Sequence, residues 1–194
     1  MKRLDPALYR STPWKNGGGT TVDIAGAMRP GFDPGGWDGL VWRLGRTRIE
    51  VPGPFSDLSG CDRILTVIKG SGLRLRPAEA PVIDVTRAFA PVRFPGEWRI
   101  VSELEAGPVG VLNLIADRDR AAIDLVIQVE PGASTVEGDL AVLYALDGGA
   151  RFDLAGEAIE LPPDGAVEIT LGDPVTLTLR SGRLAVASIR LKIP

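Results

Sequence analysis

Arg63-Ile64-Leu65-Thr66-Val67-Ile68-Lys69-Gly70-Ser71-Gly72-Leu73-Arg74-Leu75 reads as an apolar strand, a glycine turn and an alternating strand. The order is that of two strands joined by a glycine turn. Leu140 to Leu154 repeats it through Gly148-Gly149, and each copy is followed by a Pro/Gly turn and further strands. This internal echo is what a duplicated small barrel would show. Outward from these two stretches lie further short segments with strand character: Trp98 to Leu104, Val109 to Ile115, Leu125 to Val129, Ala166 to Leu171, Val175 to Arg180 and Leu184 to Leu191. Val175, Leu177 and Leu179 alternate with Thr176, Thr178 and Arg180, which puts one face inward and one outward. The separators are turn residues, among them Pro95-Gly96, Gly107-Pro108, Pro131-Gly132, Gly148-Gly149, Pro162-Pro163-Asp164-Gly165 and Ser181-Gly182. Strands at this spacing predict an all-β sandwich or barrel. Helix is expected only as a single turn at Arg118 to Ala122, where Asp117-Arg118-Asp119-Arg120 also marks a boundary between halves at residues 1–118 and 119–194.

The chain has 194 residues, enough to bury a core without a metal or disulfide staple. It contains no histidine, which excludes a Ser-His-Asp or Cys-His nucleophile, a histidine proton shuttle and any histidine-ligated metal site. Cys61, the sole cysteine, can form neither an intrachain disulfide nor a thiolate cluster; with no histidine to activate it, it reads as an inert small residue. A lone thiol fits a reducing compartment, so the expected location is the cytoplasm. The net charge of −3 carries no basic block, and the longest apolar run, Leu140 to Leu146, is far short of a membrane span. The chain is therefore expected to be soluble, with neither nucleic acid nor membrane as a partner. Oligomeric state is left open, a homodimer included.

Four segments carry residues suited to chemistry. In Trp14-Lys15-Asn16-Gly17-Gly18-Gly19-Thr20-Thr21, three consecutive glycines serve either as an anion-binding nest of backbone N–H groups beside Lys15 and Asn16, or as a turn before a strand beginning at Thr20. The glycine spacing matches neither a Walker loop nor a dinucleotide fingerprint. Arg63 opens a core strand after the loop Pro52 to Asp62; it either presents its fork into a barrel mouth or pairs with Asp57, Asp62 or a surface neighbour. In Trp42-Arg43-Leu44-Gly45-Arg46, alternation sends Arg43 and Arg46 to opposite faces, so one of them can enter a pocket. Asn113 interrupts the apolar strand Val109 to Ile115 and needs a partner, from a neighbouring backbone or from a ligand.

Taken together and in order, Trp14-Lys15-Asn16-Gly17-Gly18-Gly19-Thr20, Trp42-Arg43-Leu44, Gly53-Pro54-Phe55-Ser56, Gly60-Cys61-Asp62-Arg63 and Gly107-Pro108 leading to Leu112-Asn113-Leu114 resemble the motifs of the HutD/Ves family. The match covers residues 11 to 118 well and the remainder in pattern. Asp23 stands where the family often has glutamate, Leu58-Ser59 and Cys61 are local variants, and Ile115 replaces a common methionine. The resemblance implies a bicupin, two tandem cupin-type β-barrels, and Gly156, Pro162 and Asp164-Gly165 approximate a cupin's second motif without its metal ligand. It also implies a link to histidine utilisation, with N-formylglutamate or urocanate as the small acid bound; the Ves branch is instead associated with stress response.

The expected function is a metal-free, cofactor-free protein that binds a small anionic metabolite in its first barrel. The ligand-binding residues expected are Lys15, Asn16, Gly17, Gly18, Gly19, Arg43, Phe55, Ser56, Arg63 and Asn113. In this picture Arg63 clamps a carboxylate, Lys15 and the glycine backbone take the other anionic end, Asn113 reads an amide or formyl group, and Phe55 and Trp14 shield the pocket. No catalytic residue is assigned. Two other readings stand beside it: a cofactor-free isomerase or lyase using carboxylates or Lys15 as acid and base, and a protein-interaction module with a vestigial pocket.

Overall fold

The computed structural model describes residues 1–14, 17–33 and 35–192, and they contain strands and a single 3-10 turn at Pro6–Leu8 but no α-helix. The strands are β1 (Lys2–Leu4), β2 (Arg10–Pro13), β3 (Gly19–Met28), β4 (Leu40–Ile49), β5 (Cys61–Lys69), β6 (Leu73–Pro77), β7 (Ile83–Asp84) and β8 (Val92–Pro95). They continue with β9 (Ile100–Leu104), β10 (Val109–Asp117), β11 (Ala121–Gln128), β12 (Gly132–Val136), β13 (Leu140–Leu154), β14 (Glu157–Leu161), β15 (Ala166–Thr170) and β16 (Val175–Leu191). The expectation of an all-β chain punctuated by turns is met.

The chain divides into two compact units. Of the described residues, the first takes in Arg10 to Ala121 and the second Met1–Tyr9 and Ala122 to Lys192. The motif-bearing unit thus begins at Arg10 rather than Met1, because β1 extends the second unit's sheet by pairing with β15, Arg3 opposite Val167. Arg118 to Ala122 is not helical. Arg120 N–H donates to the Asp117 carbonyl (3.0 Å) in a tight turn, and β11 starts at Ala121.

In the first unit, a six-stranded sheet has the order β2-β3-β4-β10-β5-β8 and a three-stranded sheet the order β7-β6-β9. Leu65 and Val67 of β5, Val109 and Val111 of β10, Leu73 and Leu75 of β6 and Ile100 of β9 form one buried cluster around Phe94. The strands Cys61–Lys69 and Leu73–Pro77 are β5 and β6, which do not pair with each other: the glycine turn between them hands the chain from one sheet to the other.

The second unit is built on a sheet of order β1-β15-β13-β16-β11, with β12 also on β16 and β14 also on β13. Its main buried cluster is aliphatic except for Phe152, and Tyr144 is buried outside that cluster. Here two expected turns are strand instead: β13 runs through Gly148-Gly149 and β16 through Ser181-Gly182. The ladder between them shifts register between Ala145 and Ala150, and both Gly149 (φ 78°) and Gly182 (φ 85°) adopt the left-handed conformation. A Cβ on Gly182 would stand 2.1 Å from the Gly149 carbonyl oxygen. The glycines thus allow two long strands to bend together at closest approach, where turn-forming chemistry serves as a kink.

Candidate functional site

The first unit encloses a cavity of about 640 Å³. One face of its six-stranded sheet forms the wall, and the rungs follow from strict alternation. Ile115 of β10 lies opposite Arg43 on β4 and Arg63 on β5. One rung further, Asn113 lies opposite Gly45 and Leu65; one further again, Val111 lies opposite Thr47. Beyond β4, Thr47 and Gly45 face Thr21 and Asp23 of β3, which in turn face Thr12 and Arg10 of β2. All of these line the cavity, closed off further by Trp14, Trp37, Pro54, Phe55, Ser56 and Leu58.

Arg63 is 6% exposed. Its guanidinium carbon sits 4.9 Å from the Phe55 ring centroid and 5.2 Å from that of Phe94, in the angle of two rings tilted at 48°. This cation–π setting offsets part of the lost hydration. Among the described residues the guanidinium has no hydrogen-bond or carboxylate partner, and its Nε is fully enclosed. The ion-pair alternatives are taken elsewhere. Asp62, on the other face of β5, accepts from Arg118 Nε at 2.8 Å, and Asp57 accepts from the Ser59 backbone N–H and hydroxyl. Burial lowers the Arg63 pKa to about 10 from the ordinary arginine range, with the Cys61 thiol acting weakly in the opposite direction.

Asn113 presents the complementary anomaly, since its Oδ1 is enclosed with no hydrogen-bond partner. Of the two partners foreseen for it, neighbouring backbone does not supply one to that oxygen. Opposite it, Gly45 leaves the space a side chain would occupy: a Cβ there would approach the Val22 carbonyl to 3.1 Å.

Of Arg43 and Arg46 on β4, Arg43 is the one that lines the cavity. Its Nη2 donates to the Gly36 carbonyl (2.6 Å), its guanidinium carbon lies 4.6 Å from the Trp37 ring centroid, and its Nε is 3.9 Å from Asp23 Oδ1. The other Asp23 oxygen accepts from Arg10 Nη2 at 3.0 Å. Burial lowers the Arg43 pKa, with Asp23 acting in the opposite direction. Trp14 Nε1 donates to the Thr21 hydroxyl (2.9 Å), which meets the Thr47 hydroxyl at 3.1 Å.

Arg43, Phe55, Ser56, Arg63 and Asn113 are thus brought to one cavity. Gly17, Gly18 and Gly19 are not among its lining residues. Gly17 (φ 71°) donates to the Trp14 carbonyl (3.0 Å), and the Gly18 carbonyl accepts from Glu50 N–H at 2.9 Å. A Cβ at Gly19 would stand 2.4 Å from the Arg48 carbonyl oxygen, so the run is the β2–β3 hairpin turn pressed against β4. Lys15 and Asn16 lie outside the described residues. Arg10, Asp23, Trp37, Thr21 and Thr47 join the site without having been foreseen. For Arg10, Thr21 and Asp23 the signal is the alternation Arg10, Thr12 and Thr21, Asp23 on either side of the glycine run, which lines them up once that run is read as a turn, and Thr47 continues the alternation of Arg43 and Gly45 along β4. Burial also pushes the Cys61 thiol up, in keeping with an inert residue.

Among the described residues, no group of three metal-ligating side chains occurs and no helix is long and apolar enough to cross a membrane. The family model for HutD matches residues 7–186. A curated relative, an uncharacterised 21.2 kDa protein from the hutC 3′ region of Pseudomonas putida, is 34% identical over 157 residues, covering 78% of this chain and 77% of that protein. A conserved protein of unknown function from Pseudomonas aeruginosa PAO1 has a similar structure, with a TM-score of 0.83 and 28% identity over 97% of this chain and 98% of that one. HutD from Pseudomonas fluorescens SBW25, solved in a formate condition, follows at a TM-score of 0.80 and 22% identity over 99% of both chains. A cupin barrel protein from Leptotrichia buccalis shares the fold at a TM-score of 0.52, 9% identity and 98% of this chain against 96% of that one. The metal that cupin barrels commonly hold does not fit here. The cavity lining offers no histidine, and its one carboxylate, Asp23, already meets two arginines. On the match to its family model, the chain belongs to the HutD family.

Proposed function

We propose that this protein binds a small carboxylate metabolite, without metal or cofactor, in the cavity of its first unit. The observation that carries the reading is Arg63, an arginine 6% exposed at a cavity wall with no counter-ion among the described residues. A buried, unpaired cation costs several kcal/mol unless something arrives to neutralise it. A carboxylate matches the planar guanidinium fork and removes that cost on binding. The Phe55 and Phe94 rings cover one side of the group and leave its terminal nitrogens as the route to the ligand.

Family membership and the genomic setting named for the Pseudomonas putida relative make an acid of histidine utilisation the first candidate, N-formylglutamate or urocanate. In this reading the protein senses or buffers that acid, and so regulates flux in the cytoplasm rather than transforming the metabolite. The two units would then be tandem cupin-type barrels, of which one is loaded. Acid–base catalysis is poorly served, because the cavity's only carboxylate is held between Arg10 and Arg43.

Thermal unfolding with a panel of histidine-pathway acids tests the proposal. Ligand at about 100 times its Kd adds roughly 2.7 kcal/mol, a rise in Tm of about 5–10 °C at this size. The Arg63→Met variant should show no rise. If no acid at millimolar concentration shifts the melting of the wild-type protein, the assignment fails.

A further inference from the structure

Resting on the carboxylate reading above, the uncharged end of the cavity sets a second requirement on the ligand. Two rungs along the sheet from Arg63, Thr12 of β2, Thr21 of β3 and Thr47 of β4 stand side by side, and all three line the cavity. Among the described residues, their neighbours in the lining, Trp14, Ile49 and Val111, are likewise uncharged. Thr47 is 6% exposed, so its hydroxyl depends on partners that line the cavity or enter it.

Trp14 sets the proton count of this row. Its backbone N–H donates to the Gly19 carbonyl (2.9 Å), and its ring rests on Gly19, where a Cβ would stand 3.3 Å from it. The Nε1 of that ring can only donate, and it gives its proton to the Thr21 hydroxyl at 2.9 Å. Thr21 and Thr47 meet at 3.1 Å, a contact that uses one more proton. Whichever hydroxyl donates there, one hydroxyl proton remains. Neither threonine side chain has a further hydrogen bond among the described residues, so nothing on the protein accepts that proton. An oxygen's second lone pair goes unmet readily inside a protein, whereas a buried donor without an acceptor is rare.

We infer that the cavity selects acids carrying an uncharged hydrogen-bond acceptor, such as a carbonyl oxygen, at the end opposite the carboxylate, with Thr47 as the residue that reads it. Thr47 is the donor because a hydroxyl that accepts a bond becomes the stronger donor in turn, which directs the Thr21 proton at Thr47 and leaves the Thr47 proton for the cavity. Arg63 and Thr47 lie on either side of β10, opposite Ile115 and Val111, rungs about 13–14 Å apart along the strand. Gly45, on the rung between, leaves the floor open for the chain that joins the two ends of the ligand. A plain alkanoate would satisfy Arg63 and leave the Thr47 proton unmet.

Titration calorimetry with a ladder of oxo acids tests this: 5-oxohexanoate, 6-oxoheptanoate and 7-oxooctanoate, each against the branched hydrocarbon acid in which a methyl group replaces the carbonyl oxygen. The members of a pair match in charge and shape and differ in the acceptor. The hydrocarbon member is the more apolar, so hydrophobic burial alone favours it. On the wild-type protein at least one oxo acid should bind about fivefold or more tightly than its partner. Thr47→Val should reduce that ratio to about twofold or less, Thr47→Ser should restore it, and Arg63→Gln should weaken both members of the pair. A wild-type protein that prefers the oxo acid at no chain length overturns the inference, and that comparison needs no variant to fold. A preference that survives in Thr47→Val overturns the role of Thr47. If the acids bind without preference and are lost in Arg63→Gln, the inference falls and the carboxylate reading stands. If no acid binds, both fall together.

Discussion

The two units answer one local pattern in different ways. Apolar strand, glycines and alternating strand recur in β5–β6 and along β13, yet the residues their sheets bury differ in kind. In the second unit the buried face is filled: Leu143, Phe152, Leu161, Val167, Leu177 and Leu184 pack into one cluster with no polar side chain in it. In the first, the corresponding alternation brings Arg43, Gly45 and Thr47, Asn113 and Ile115, and Arg63 to a cavity. Aliphatic filling yields stability at every position. The first unit gives that up at Arg63 and Asn113 in the cavity wall, whose Nε and Oδ1 are buried without hydrogen-bond partners, as is Nε1 of Trp42 outside it. Under the proposal above, the two in the cavity wall are where a ligand would complete the structure.

The largest effect that would break this comparison is expected in the filled unit. Phe152, 1% exposed, sits in its core, and Phe152→Ala should cost about 3–5 kcal/mol in urea unfolding. Its acid binding at 25 °C, read by calorimetry on the folded protein, should stay within about twofold of wild type. A collapse of affinity would mean that the second unit is not merely structural.

Next in size is Arg63→Met, for which the expected sign is the reverse of an ordinary core substitution. Burial lowers the folded pKa to about 10, below the ordinary arginine range of the unfolded chain, which implies a cost of a few kcal/mol at neutral pH. Lost ring contacts offset part of the gain, so the apo variant should be more stable by about 1–2 kcal/mol. The folded pKa lies below the unfolded one, so the cost is complete below about pH 10 and fades as pH rises from there into the ordinary arginine range. Unfolding curves of both proteins at about pH 8, 10 and 11 should show the wild-type deficit narrowing over the last interval. A variant less stable than wild type at pH 8 would show that Arg63 is satisfied without a ligand.

The smallest effect is expected at Asn113. Asn113→Leu removes an enclosed, unpartnered oxygen and should raise apo stability by about 1 kcal/mol, visible as a small shift in the urea midpoint. A loss of more than about 1 kcal/mol would show that the amide is bonded in the apo protein.

Much of this was legible in the sequence. The strands β5 and β6 with the glycine turn between them, the strand at Val109 and the opposite facing of Arg43 and Arg46 follow from alternation and turn residues, which are local, whereas which of those two arginines enters, and whether Arg63 finds an ion pair, stood open. What was not legible is non-local. Arg10 and Asp23 reach the cavity only because β2, β3 and β4 are neighbours, and no local pattern states a sheet order. Gly148-Gly149 and Ser181-Gly182 look like hairpin ends because glycine serves a turn and a strand kink equally well; only their pairing across the ladder tells them apart. Asn113 stood open for a similar reason, since whether a strand asparagine finds a backbone partner depends on what lies opposite, here a glycine and a leucine.

The glycine turn after Trp14 has a consequence for how proteins of this kind are classified. It is the most recognisable segment of the chain, yet its carbonyl at Gly18 holds Glu50 and Val51 in place and Gly19 admits the backbone of β4. The most recognisable segment is thus a fastening of the scaffold, whereas the capacity to hold an acid, as proposed, sits at Arg63, two strands from β4. Under that proposal a relative could keep the glycine turn and lack the acid site, and sorting relatives by the residue that aligns with Arg63 would separate the two cases.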